Sequence, residues 1–297
     1  MTINATFEEE PEEALDYQLT TLAGSRLQVR GPLPCFDEPF IAVLGGNETF
    51  GKYVKAPFPS LLAERIDLPV ANLGVAHAGL SLFSEEQVLL DIASKAEVTV
   101  LQVLGAQNMS NRLYSVHSRR NDRFLGVSPA LREIFPNVDF AEINFTGHLI
   151  STLRETSTTG FEVLVNELKW AWLQRMKRLL SMIEGEVILL WVSDRAPASA
   201  ESSETEPHFV DQGMLNQLSD LFDCLVAVQL SCETSLDGKV YQSQDVDAAR
   251  QMPGQADHQC IAEHLAPMVA EWFEAPNRPL SAVRQHVRVS RSAPGQP

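Results

Sequence analysis

The sequence predicts a three-layer α/β/α sandwich around a mostly parallel central sheet of about five strands. Three observations lead there. Short, continuously apolar runs recur along the chain, as expected of strands buried on both faces. Amphipathic stretches separate them, so strands and helices alternate and the sheet should be largely parallel. The runs break into glycine or polar residues, and in such sheets ligands bind at the carboxyl ends of the strands.

The elements follow in order. "FIAVLGG" (40–46) reads as the first strand, with residues 40–45 extended and Gly45-Gly46 at its end. "PSLLAERID" (59–67) reads as a helix capped by Ser60, and "LPVANLGV" (68–75) as the second strand. "SEEQVLLDIASKA" (84–96) has Ser84 in the capping position and glutamates in its first turn. "VTVLQVLGA" (98–106) is the third strand. A long amphipathic helix over 161–184 leads into the fourth, "GEVILLWVSD" (185–194). "GMLNQLSDLF" is helical, "CLVAVQLS" (224–231) is the fifth strand, and 256–273 is the closing helix. The Ser-, Ala- and Glu-rich stretch 195–207 reads as a mobile loop. The α/β domain thus spans 39–275, preceded by a wrapping segment, 1–38, and followed by a basic extension, 276–297.

With 297 residues, 44% of them hydrophobic, the chain can bury a full core. A net charge of −16 argues against general nucleic-acid binding, which needs a basic face. No apolar run is long enough to span a bilayer, so no membrane role is expected. The acidic N-terminus lacks a secretory pattern, and the four cysteines, Cys35, Cys224, Cys232 and Cys260, are too scattered for a disulfide or zinc framework. A cytoplasmic protein without metal or cofactor is the expectation.

Four segments at the strand ends carry the chemistry. They are Gly45-Gly46-Asn47-Glu48-Thr49-Phe50-Gly51, then Asn72-Leu73-Gly74 running on to Ala76-His77, then Gly105-Ala106-Gln107-Asn108, and last Gln255-Ala256-Asp257-His258. In order and spacing this set resembles the blocks of the SGNH, or GDSL-like, hydrolase superfamily over about residues 39–275. It is more similar still to an uncharacterised bacterial domain family of that type, whose first block reads GGSETFG. The resemblance implies a sandwich of SGNH-hydrolase or flavodoxin-like kind. It also implies cleavage or transfer of O-acyl groups on a small or carbohydrate-borne ester. A serine on the first turn would attack, a histidine at the last helix would take its proton, and an aspartate three residues earlier would orient the ring. Backbone N–H groups near Gly46 and Gly74 and a third-block amide would hold the oxyanion.

This sequence departs from that pattern at most of the key positions. Asn47 stands where the nucleophile belongs, and a carboxamide is not a usable nucleophile at neutral pH. His77 replaces the second-block glycine, Gln107 or Asn108 fills the third-block amide, and Gln255 stands where an aspartate would orient His258. The chain is therefore expected to be weak or inactive as an esterase. Asn47 is equally suited to cap a helix, and Thr49 is an alternative hydroxyl. Close by, Arg112, His117, Arg119, Arg120 and Arg123 crowd one stretch of a protein that has 23 basic residues against 39 acids. They read either as a solvated turn or as a grip on an anion. The competing expectation is accordingly a non-catalytic binder of a small anionic ligand, such as a sulfated or phosphorylated carbohydrate.

Overall fold

In the computed structural model, which describes residues 15–198, 205–230 and 235–274, the chain enters through two short antiparallel strands, β1 (Leu19–Thr21) and β2 (Gln28–Arg30). Arg30, at the end of β2, is buried. Its guanidinium donates to the carbonyls of Phe50, Gly51, Val54 and Lys55, which fixes the turn after the first core strand. Arg30 thus bonds the second short strand to that turn.

The core strand β3 (Ile41–Gly45) is followed by a one-turn helix, α1 (Asn47–Phe50), and then by α2 (Phe58–Ile66) and β4 (Val70–Gly74). Pro57 caps α2, so Ser60 lies inside that helix and does not start it. The stretch expected as one helix over 84–96 is divided into α3 (Leu80–Glu85) and α4 (Gln87–Ala93), with Glu86 extended between them. Ser84 caps neither helix, and its hydroxyl donates back to the Ser81 carbonyl. Next comes β5 (Val98–Gln102).

A small antiparallel pair, β6 (Tyr114–Val116) and β7 (Phe124–Val127), frames the arginine-rich turn. Two helices follow, α5 (Pro129–Ile134) and α6 (Thr146–Thr156). The long α7 (Thr158–Met182) is capped by the Ser157 hydroxyl accepting from the Gly160 N–H. The chain then runs through β8 (Glu186–Ser193), α8 (Gln212–Asn216), β9 (Cys224–Gln229), α9 (Val246–Gln251) and α10 (Gln255–Glu274).

The central sheet has the order β4-β3-β5-β8-β9, and all its pairings are parallel. Alternate residues of its strands feed two cores. Ala42, Leu44, Leu73, Leu101, Leu189 and Trp191 face the layer that contains α7. Ile41, Val43, Val100, Ile188 and Val226 face α2 and α10. The structure is therefore a three-layer α/β/α sandwich with five parallel strands. Among the described residues, no helix is long and apolar enough to cross a membrane, and no group of three or more His, Cys, Asp or Glu side chains could hold a metal ion. Residues 199–204 of the low-complexity stretch, Cys232 and the basic extension lie outside the described residues. The flanks of the low-complexity stretch are anchored: Arg195 is buried and donates to the carbonyls of Pro207 and Val210.

Candidate functional site

Register sets the site. Gly45 pairs with Gly74, so β3 and β4 end level, and the Val75 N–H donates to the Gly45 carbonyl at 3.0 Å. Gly74 is a necessity of close approach: a Cβ there would lie 2.3 Å from the Phe50 nitrogen in α1. Gly51 closes α1 at φ +74°, in the left-handed region that glycine enters without penalty. Asn72 ties the two ends together. Its Oδ1 accepts from the Gly74 N–H, and its Nδ2 donates to the Thr49 carbonyl, both at 3.0 Å.

Beneath the turn lies a buried amide that no sequence motif marks. Gln102, the last residue of β5, accepts from the Gly46 N–H at 3.0 Å and from the Thr49 hydroxyl at 2.7 Å. Its Nε2 donates to Glu48 Oε2 at 2.8 Å. Thr49 is fully buried on this bond, which removes it as an exposed nucleophile. Burial pushes the Glu48 carboxyl above the usual range and the charge of Glu206 adds to the rise, against the pull of the Gln102 amide.

Asn47 is half-buried at the start of α1, and Gly46, not Asn47, occupies the cap position. The Asn47 Oδ1 accepts from the backbone N–H of His77 at 3.0 Å. His77 itself has φ +61°, a conformation that costs a non-glycine residue about 1–2 kcal/mol. Its imidazole Nδ1 lies 3.1 Å from Asp122 Oδ2, and its carbonyl accepts from the Asn121 N–H at 3.0 Å. The buried Asn121 side chain accepts from the Gly79 N–H at 2.7 Å and completes the clasp between the two loops. Burial alone would raise the Asp122 carboxyl, but the hydrogen bond and charge of His77, with Arg120 beyond, hold it below the usual carboxylate range. In the sequence, Asp122 is one acid among the arginines of "SRRNDRF", and nothing in that stretch marks it out.

The remaining predicted residues go to separate partners. Gln107 is buried and donates to Glu206, and the Asn108 side-chain oxygen accepts from the Thr146 hydroxyl. Arg112 is held by Glu167, with its Nε 2.7 Å from Oε2, and lies over the Trp170 ring. Arg119 faces Glu86 at 3.6 Å, Arg120 faces Asp122 at 3.6 Å, and Arg123 is exposed. His117 accepts on Nδ1 from the N–H groups of Arg119 and Arg120, which shapes the turn. A cavity of about 370 Å³ lies there, lined by Leu82, Glu85, Glu86, His117, Ser118 and Arg119.

His258 is one turn into α10 and 1% exposed. Its Nδ1 accepts from the Phe58 N–H at 3.1 Å, and its ring stacks on Phe58. Burial, with Arg30 and Lys239 nearby, lowers its pKa to about 3. Gln255 both donates to and accepts from the backbone of Ala56. These two side chains join α10 to the start of α2.

The chain belongs to the family described as Domain of unknown function (DUF6473), whose model matches residues 5–273. Comparison with curated proteins gives no match. Among solved structures, the chain is similar to the lipase Lip_vut3 from a goat rumen metagenome. The two share 12% identity at a TM-score of 0.39, and the match covers 77% of this chain and 97% of the lipase.

Proposed function

We propose that this member of the family carries an SGNH-like acyl-ester site, at the carboxyl ends of β3, β4 and β5, in which an amide replaces the nucleophile. As it stands the chain holds an ester or acyl ligand and turns it over weakly or not at all. One observation carries the reading. The side chain at position 47 leaves the first strand through a tight turn and meets a backbone N–H of the second block, that of His77. In an acyl-transfer site that donor would face the oxyanion. Asn47 Oδ1 fills the place that a substrate oxygen would take.

The chemistry expected of a serine at position 47 is then definite. Its oxygen bonds to the ester carbonyl carbon, its proton passes to an imidazole, and the carbonyl π pair moves onto oxygen. That pair re-forms the carbonyl as the alcohol leaves with the same proton. Water repeats the two steps and frees the acid.

The anion-binding alternative draws less from the geometry, because Arg112, Arg119 and Arg120 each face a carboxylate. The experiment is Asn47→Ser assayed on a short-chain aryl ester. Turnover should exceed that of the parent by several powers of ten, the usual cost of a missing nucleophile. A folded variant, by circular dichroism, with no gain over the parent refutes the reading.

A further inference from the structure

We infer that His77, oriented by Asp122, is the proton-accepting imidazole for the group at position 47, in place of the His258 to which the sequence blocks point. The inference rests on the ester-cleavage reading for its chemistry, but its geometry stands apart from that reading.

Tautomers separate the two histidines. A carboxylate only accepts hydrogen bonds, so in the neutral ring the Nδ1 that meets Asp122 carries the proton and Nε2 keeps its lone pair. His258 is the reverse. Its Nδ1 accepts from a backbone N–H, so a neutral ring holds its proton on Nε2 and has no lone pair left to take another. Its burial against Phe58 fits a packing role.

Position does the rest. The N–H that touches Asn47 Oδ1 and the imidazole belong to one residue, so the ring lies within one side chain's length of that bond. That residue is held in the left-handed region, and observed strain of this kind concentrates at functional sites. His77 is fixed through N–H, C=O and ring at once, by Asn47, Asn121 and Asp122. Asp122 is backed by Arg120, and its buried Oδ1 has no partner among the described residues. An ionised carboxylate with one unspent oxygen suits a positioning residue that must steady an imidazolium.

A merely structural clasp would produce the same contacts, so the test reads reactivity at position 47. Asn47→Cys places a thiol there, and its alkylation by iodoacetamide is followed against pH by peptide-resolved mass spectrometry, with the exposed Cys35 of the same chain as reference. A thiol beside a proton-accepting imidazole ionises below the free value of about 8.5. A shift of about 2 pH units in the midpoint, less the nucleophilicity lost with it, gives roughly 5–10-fold faster alkylation near pH 6.5. His77→Gln or Asp122→Asn in that background should return the midpoint to the reference, and His258→Gln should leave it shifted. A midpoint equal to that of Cys35, or one that responds to His258→Gln and not to His77→Gln or Asp122→Asn, overturns the inference. A shifted midpoint with an inert Asn47→Ser variant sustains the base and refutes the ester reading alone. Turnover by Asn47→Ser that survives His77→Gln overturns the base and leaves the ester reading standing.

Discussion

Replacing Gln102 by methionine tests what holds the turn. The side chain is 4% exposed and makes three bonds, two as acceptor and one as donor. Methionine keeps nearly the same volume and removes all three. Two buried donors then lose their acceptor, the Gly46 N–H and the Thr49 hydroxyl. A buried donor left without a partner costs about 1–3 kcal/mol. The hydroxyl can rotate toward a new acceptor and the amide cannot, so the loss should be about 2–4 kcal/mol. Glu48 also loses the amide that opposes its desolvation, so its carboxyl should rise further. The assay is urea unfolding at neutral pH, read as a midpoint at constant slope. A cycle with Thr49→Val sharpens it, because that change removes one of the orphaned donors. The double variant should lie about 1 kcal/mol closer to wild type than the two losses added together. A Gln102→Met loss below 1 kcal/mol with an unchanged slope, or strictly additive changes, would refute the claim that this amide organises the turn.

Two further predictions concern pH. His258 is buried as a neutral ring whose folded pKa, about 3, lies below the unfolded value of about 6.5, so its contribution is present above pH 6.5 and is lost as pH falls toward 3. Stability should drop by up to about 1.4 kcal/mol per pH unit across that window, and His258→Gln, which retains an acceptor for the Phe58 N–H, should flatten the slope in urea melts from pH 4 to 7. Glu186 behaves oppositely: burial first, then the hydrogen bond and charge of Asp223, push its carboxyl to about 7, so its stabilisation is complete below pH 4.5 and is lost as pH rises through 7. Glu186→Gln should shrink the fall in urea midpoint between pH 5 and 8, and an unchanged fall would show that the pair is already solvated.

The parallel sheet was legible because its strands are apolar on both faces and end in glycine, which periodicity reports directly. The caps were less so. Ser60 and Ser84 suit a helix start by type, yet Pro57 and the break at Glu86 decide where those helices begin. The hairpin around the arginine turn leaves no sequence signal, because β6 and β7 are three and four residues long and a run that short carries no period. The arginine cluster itself was visible as charge. Two of its partners, Glu86 and Glu167, lie far away in sequence, so their neutralisation of Arg119 and Arg112 could not be read from the stretch alone.

At the site, the sequence located Asn47 and His77 but marked His77 only as a replacement for the second-block glycine. The imidazole became informative once Asp122, forty-five positions later, lay against it. Gln102 was hidden differently, as one polar residue closing an apolar strand, where composition reads as core. The state of the turn follows from Asn47, His77 and Gln102 together with Asn72. Gln102 and Asn72 hold α1 against the strand ends whatever stands at position 47, since neither bonds to that side chain. A serine at position 47 would leave the His77 N–H free for a substrate oxygen, and an asparagine satisfies it internally. On the proposed reading, asparagine in place of serine spares the framework of the turn and lacks two functions, the attacking oxygen and an open donor. Filling a donor is stabilising where keeping it open serves function. On the proposed reading, the Asn47 side chain closes the site by its own bond to the His77 N–H, and Asn47→Ser would reopen it.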